Sequence, residues 1–255
     1  MSTPATRRAA LGLALAGAVL LAASTAGAAV SDRQVRTLGF DPSRALAVDL
    51  TIGEVRIIGS DRADVSLEVT RQAPTAEALA TMPLVVDEAA PARIRVAIVQ
   101  PDGGTDPALR ATVVLRVPHA ARLDAVKVLE GKIVVEDFDG ALTADVRRGP
   151  IEATAVGGTL RLETGIGSVI VKRARLSADG LLRLRAFNGD VRLHLAQAPT
   201  DARVLALALN GTISSALPLT MKDTWGPRFG EATIGKGSPV ISIDVVTGRV
   251  EITIG

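Results

Sequence analysis

The amino-acid sequence predicts an all-β protein, a right-handed β-solenoid or β-helix-like stack whose rungs are about 20 residues long. Three observations lead there. Seven glycines are each followed two residues later by Val or Ile: Gly53 and Val55, Gly131 and Ile133, Gly149 and Ile151, Gly167 and Val169, Gly189 and Val191, Gly211 and Ile213, Gly248 and Val250. From Gly131 onward these glycines are spaced by 18, 18, 22, 22 and 37 residues, a steady period interrupted by one insertion. The apolar residues are aliphatic, with aromatics at only 2%, which suits repeated Leu, Val and Ile ladders. The alternative is an antiparallel β meander or sandwich, in which the glycine corners are hairpins and Asn188-Gly189 and Asn210-Gly211 are the turn signals.

Residues 1–28 read as a signal peptide. Arg7 and Arg8 form a basic head, 9–23 is an unbroken run of small and aliphatic residues, and Ala26-Gly27-Ala28 offers the small residues of a cleavage site. The run is short for a membrane span of about 20 residues, so an uncleaved anchor is the weaker reading. Thr6-Arg7-Arg8-Ala9-Ala10-Leu11 resembles the twin-arginine export pattern, with the general secretory route left open. The formal charge of +2 comes from this segment, because without Arg7 and Arg8 the 27 acidic residues face 27 basic ones. Nucleic-acid binding thereby loses its electrostatic basis. An absence of cysteine excludes disulfides, thiolate nucleophiles and zinc-thiolate sites.

Residues 29–120 are expected to be an irregular β region that caps or flanks the stack. Leu46, Val48 and Leu50 alternate into Gly53, followed by Val65, Leu67 and Val69, by Ile94, Val96 and Ile98, and by Val113, Leu115 and Val117 before Pro118. Period-two alternation of this kind marks strands with one buried face. One short helix fits within 73–82, and 100–107 is a Gly/Asp/Pro loop. Residues 121–255 then hold the rungs: Leu142, Ala144 and Val146 precede Gly149, Leu160 and Leu162 precede Gly167, Leu182, Leu184 and Ala186 precede Gly189, and Ile241, Ile243 and Val245 precede Gly248. Each rung is a strand, a glycine corner and a second strand. The long spacing places an insertion at 216–237.

The order of these features resembles the bacterial DUF4097 family, exported β-strand repeat proteins labelled "putative adhesin". The resemblance rests on Leu46-Ala-Val-Asp-Leu-Thr-Ile-Gly-Glu-Val-Arg-Ile-Ile58, on Arg116-Val-Pro118, on the Gly-x-Ile/Val rungs, and on the closing 235–252 segment. It covers nearly the whole chain after residue 28. It implies an exported β-helical protein of the periplasm or cell surface, with no binding residues to carry over.

Catalysis finds little footing. No Gly-x-Ser-x-Gly elbow exists, and His119 and His194 read as solvated side chains, since a triad needs a base oriented by an acid beside a nucleophile. Glu136-Asp137-Phe138-Asp139-Gly140 and 102–106 match no calcium-loop pattern and read as acidic turns. The expectation is a non-enzymatic envelope protein with an adhesin-like or scaffold role, no cofactor or metal, and an unknown protein or glycan partner. A carbohydrate-active enzyme on a β-helical fold, or an envelope-stress accessory protein, are the alternatives.

Two surface features are candidates for contact. Arg161, Arg183 and Arg185 fall on outward phases of adjacent rungs and can line up as a basic strip; Asp145, Glu152, Glu163, Asp179 and Asp190 interleave and can neutralise it. Leu205, Leu207 and Leu209 occupy outward positions where other rungs carry charge. The insertion, with Met221, Trp225 and Phe229, is expected to fold back over them and bury Trp225, unless the leucines are themselves a protein or lipid contact. Self-association through the final strand, 249–254, is open.

Overall fold

The computed structural model describes residues 29–101, 104–222 and 226–255. The expected signal peptide and the burial of Trp225 therefore lie outside the described residues. The elements are β1 (Val30–Leu38), β2 (Ala45–Ser60), β3 (Val65–Ala73), α1 (Ala76–Ala80), β4 (Leu84–Asp87), β5 (Arg93–Ile98), β6 (Arg110–Pro118) and β7 (Arg122–Glu136). They continue with β8 (Ala141–Arg148), β9 (Ile151–Thr154), β10 (Thr159–Ile166), β11 (Val169–Ala174), β12 (Leu181–Asn188), β13 (Val191–Leu195), β14 (Ala202–Ser215), β15 (Thr220–Lys222), β16 (Arg228–Ile234) and β17 (Val240–Ile254). Among the described residues α1 is the one helix, capped by the Thr75 side chain accepting from the Ala78 amide.

The alternating runs all became strands, and their pairing corrects the expected fold class. The strands join into one 17-stranded sheet around a single aliphatic core, an all-β architecture of eight parallel strands wrapped as a barrel with extra strands, and not a β-solenoid. A first face runs β5, β2, β7, β8, β10, β12, β17, β14, each parallel to the next. A second runs β6, β2, β7, β9, β11, β13, β17, β14. The wall closes sideways, because β2, β7, β17 and β14 bend at glycine and pass from one face into the other.

Two features separate this from a coil of successive rungs behind a cap. The last strand, β17, lies between β12–β13 and β14, so spatial order departs from chain order. The N-terminal segment also supplies β2, β5 and β6 to the parallel ladders themselves. The meander or sandwich fails too, since every ladder contact across the glycine corners is parallel. Periodicity reports the spacing of corners and is indifferent to the order in which the strands are laid down, which is why it misled here.

Antiparallel strands finish the ladders. β3 pairs with β6 and β1 with β3, β4 pairs with β5, and β16 pairs with residues 202–208 of β14, with β15 beyond it.

The glycine corners form a column. A Cβ on Gly131, at φ +141°, would sit 1.8 Å from the Gly53 carbonyl oxygen, and Gly149, Gly167, Gly189, Gly248 and Gly211 repeat the relation in that spatial order. No side chain fits where a neighbour's carbonyl passes so close, and L-residues avoid that φ. Inward-facing residues form matching columns. Leu46, Leu123, Leu142, Leu160, Leu182 and Ile241 make one; Val55, Ile133, Ile151, Val169, Val191 and Val250 make another, all buried. Each such side chain contributes about 1.5–3 kcal/mol by leaving water. Thr164, one of three buried polar residues with Thr51 and Gln100 among the described residues, donates to the Gly149 carbonyl at 2.8 Å, satisfying its hydroxyl.

Candidate interaction surface

Because side chains alternate on a strand, the inward columns imply outward ones. On the first face one outward column reads Thr143, Arg161, Arg183, Ser242, Leu205, and the next Asp145, Glu163, Arg185, Asp244, Leu207. Arg161 and Arg183 thus stand directly side by side on β10 and β12. Arg185 reaches Glu163 at 3.5 Å, whereas neither Arg161 nor Arg183 has an ion-pair partner within reach among the described residues. With Thr143, Asp145 and Glu163 these arginines line a shallow hollow of about 230 Å³. Of the acids expected to neutralise the strip, Glu163 does so at Arg185, whereas Asp190 and Glu152 pair with Arg192 at 3.1 Å and Lys132 at 3.8 Å on the second face.

The leucines lie where alternation places them. Leu205 and Leu207 are half-buried and Leu209 is 40% exposed. Among the described residues the insertion lies beside these leucines and not over them. β16 pairs edge-on with β14, which sets Phe229 beside Leu207 and Glu231 beside Leu205 in the same sheet. Phe229 is half-buried, and the Lys222 ammonium lies 5.1 Å from its ring centre. Main-chain bonding to the open edge of β14 outweighed a fold-back that would have left those backbone groups unpaired.

On the second face a larger groove of about 540 Å³ runs between outward columns on β11, β13 and β17. Ile170 and the stems of Lys172 and Arg192 line it, with Arg173, His194, Glu251 and Thr253 around it. Arg192 is held by Asp190 and by Glu251 at 3.6 Å. Arg173 adopts a left-handed conformation, φ 53°, and its amide donates to His194 Nδ1 at 3.3 Å. His194 is therefore protonated on Nε2 when neutral. Asp137 and Ala155, at the ends of the two preceding strands of the ladder, share the positive φ; this repeated backbone turn had no signal in residue type.

His119 is also structural. Its Nδ1 lies 2.7 Å from the Asp137 carbonyl, in a space that Gly59 leaves open, since a Cβ there would come within 2.8 Å of that nitrogen. In the acidic turn Phe138 is fully buried and Asp139 accepts from Arg175 at 2.7 Å. Among the described residues no group of three His, Asp or Glu is placed to hold a metal.

No family model matches the chain, and no curated protein matches it. Solved structures do. The "putative cell adhesion protein" of Clostridium sporogenes ATCC 15579 is 12% identical, with a TM-score of 0.50 over 89% of this chain and 100% of that one. A "putative adhesin" of Bacteroides fragilis NCTC 9343 is 10% identical over 88% of this chain and 97% of the other, at TM-score 0.33. One from Parabacteroides merdae ATCC 43184 is 11% identical over 88% and 96%, at TM-score 0.32. The first likeness is one of fold alone, and the other two are too distant in shape to carry an argument.

Proposed function

We propose that this is an exported, non-enzymatic protein of the bacterial cell envelope, related to the DUF4097 family, that acts as an adhesin-like or scaffold module through its outward columns. The observation that carries this reading is the pair Arg161 and Arg183: two exposed arginines at register-paired positions on neighbouring parallel strands, with no ion-pair partner among the described residues. Adjacent unneutralised cations cost stability through repulsion, and a pair of them carried on rigid strands fits a carboxylate- or phosphate-bearing protein or glycan. The name of the Clostridium sporogenes neighbour, and the secretory reading of residues 1–28, support an envelope location.

The test is binding of the purified protein to its own envelope fraction. Arg161→Glu with Arg183→Glu is expected to weaken capture roughly tenfold or more, the size expected when charge-assisted contacts worth about 1.5–3 kcal/mol each are lost. Unchanged capture would overturn the role of this face. Fractionation that finds the full chain in the cytoplasm, with residues 1–28 still attached, would overturn the export reading.

A further inference from the structure

The first half of β14 is covered by β16, and the second half is bare. Among the described residues, positions 210–215 pair with β17 on one side and with nothing on the other. Ile213 faces inward in register with Val250, yet it is only half-buried where Val250, Val191 and Val169 are fully buried. Among the described residues no strand continues this column past Ile213, and Leu217 just after β14 is the buried aliphatic residue nearest in sequence.

The edge carries none of the usual protection against pairing, which is charge, proline or a bulge. No Asp, Glu, Lys or Arg occurs anywhere in 204–221, and Thr212 and Ser214 are the exposed outward side chains of the bare half. A row of outward apolar residues also runs up to this edge: Phe187 on β12, Val246 on β17 and Leu209 on β14 occupy neighbouring positions, with Phe187 51% and Leu209 40% exposed.

We propose that residues 210–215 form a self-association surface, pairing antiparallel with the same edge of a second copy to make a tail-to-tail dimer. An antiparallel pairing about a two-fold axis brings an edge against itself, and a neutral edge does so without like-charge repulsion. It also adds the missing layer over Ile213 and continues the apolar row past Leu209. The opposite end is a poor partner, because its outer strand β1 carries Asp32, Arg33 and Arg36. A head-to-tail contact would moreover leave one open end on every copy and grow without limit. This dimer does not depend on the adhesin-like reading.

Sedimentation of the purified protein tests it, with twice the chain mass expected. Thr212→Lys with Ser214→Lys, both at exposed positions, is expected to raise the dissociation constant by roughly tenfold or more while circular dichroism, and melting in dilute solution where both proteins are monomeric, stay unchanged. Because the chain has no cysteine, Thr212→Cys is expected to give a disulfide-linked dimer and Val35→Cys on β1 none. A monomer at all concentrations, a dimer that persists in the lysine pair, or mixed cross-links between positions 35 and 212 in a doubly substituted chain would each overturn it.

Discussion

At the N-terminal end of the wound sheet, β6 is backed by β3 and β3 by β1, β4 lies along β5, and Ala78 and Leu79 of α1 pack on the core. Charge ties this cover down. Arg71 is bound to Asp32 and donates to the Met82 carbonyl at 2.7 Å, and Arg33 reaches Glu68 at 2.9 Å. At the other end, among the described residues, the covering strands are β16 with β15, over the first half of β14, with Leu217 and Leu219 packed on the core after it. The contrast teaches that stacked parallel strands stabilise each other's flanks equally well anywhere in the ladder, while the ends need separate solutions. One end is sealed along its length by salt-bridged antiparallel strands; at the other the cover, tied by its own Lys222–Glu231 ion pair at 3.0 Å, stops at residue 208 and leaves the charge-free 210–215 edge open among the described residues.

The largest effect expected from probing this contrast lies between the ends, in the glycine column. Gly131→Ala places a methyl group within 1.8 Å of the Gly53 carbonyl oxygen and forces φ +141° on an L-residue; it is expected to cost about 3 kcal/mol or more. Gly39→Ala, with nothing within 4 Å, is expected to stay within about 0.5 kcal/mol. Urea unfolding of the two variants checks this, and equal losses would refute the column as the structural spine.

A smaller difference is expected within one inward column. Ile133→Ala, at a site that is 0% exposed, is expected to lose about 2–5 kcal/mol. Ile213→Ala, in the half-covered last layer, is expected to lose about 1 kcal/mol in dilute solution, and more as protein concentration rises and the dimer covers it. A loss at Ile213 equal to that at Ile133, and independent of concentration, would mean that the end is closed within a single chain.

The smallest effect is one of pH. The Arg71 hydrogen bond, with one from Gln34, holds the Asp32 carboxyl below its usual value of 3.8, and the Arg33 hydrogen bond does the same to Glu68 relative to 4.5. Both carboxylates are more acidic folded than unfolded. Their contribution is therefore complete above the unfolded values and is lost as pH falls through the depressed folded ones. Amide exchange between about pH 6 and pH 3 is expected to show protection falling in β1 and β3 before it falls in β14. The reverse order would show that these ion pairs do not fasten the N-terminal end.

Much of the fold was legible because it is local. Alternation at Leu46, Val48 and Leu50, or at Leu182, Leu184 and Ala186, assigns strand and buried face together, and the Gly-x-Val/Ile offset located every corner of the column. The adjacency of Arg161 and Arg183 followed from the same period. The place of β17 did not, because strands with interchangeable aliphatic columns fit several slots and the choice rests on contacts between residues far apart in sequence. The long gap after Gly211 looked like an insertion covering the leucines; it is the excursion through β15 and β16 from which the chain returns to fill the slot beside β12. The bare edge does leave a trace in the charge-free stretch 204–221, of which Leu205, Leu207 and Leu209 are the most conspicuous part.

The sequence by itself determined which residues are strands, which side of each is buried, and where glycine is obligatory, since these follow from side-chain alternation and backbone sterics. Only the tertiary structure decided the order of the strands, the sealing of one end and the exposure of the other. Hydrogen bonds along a ladder are made by the backbone, which is the same in every strand, so the pattern of side chains constrains which partners are compatible and leaves long-range packing to choose among them.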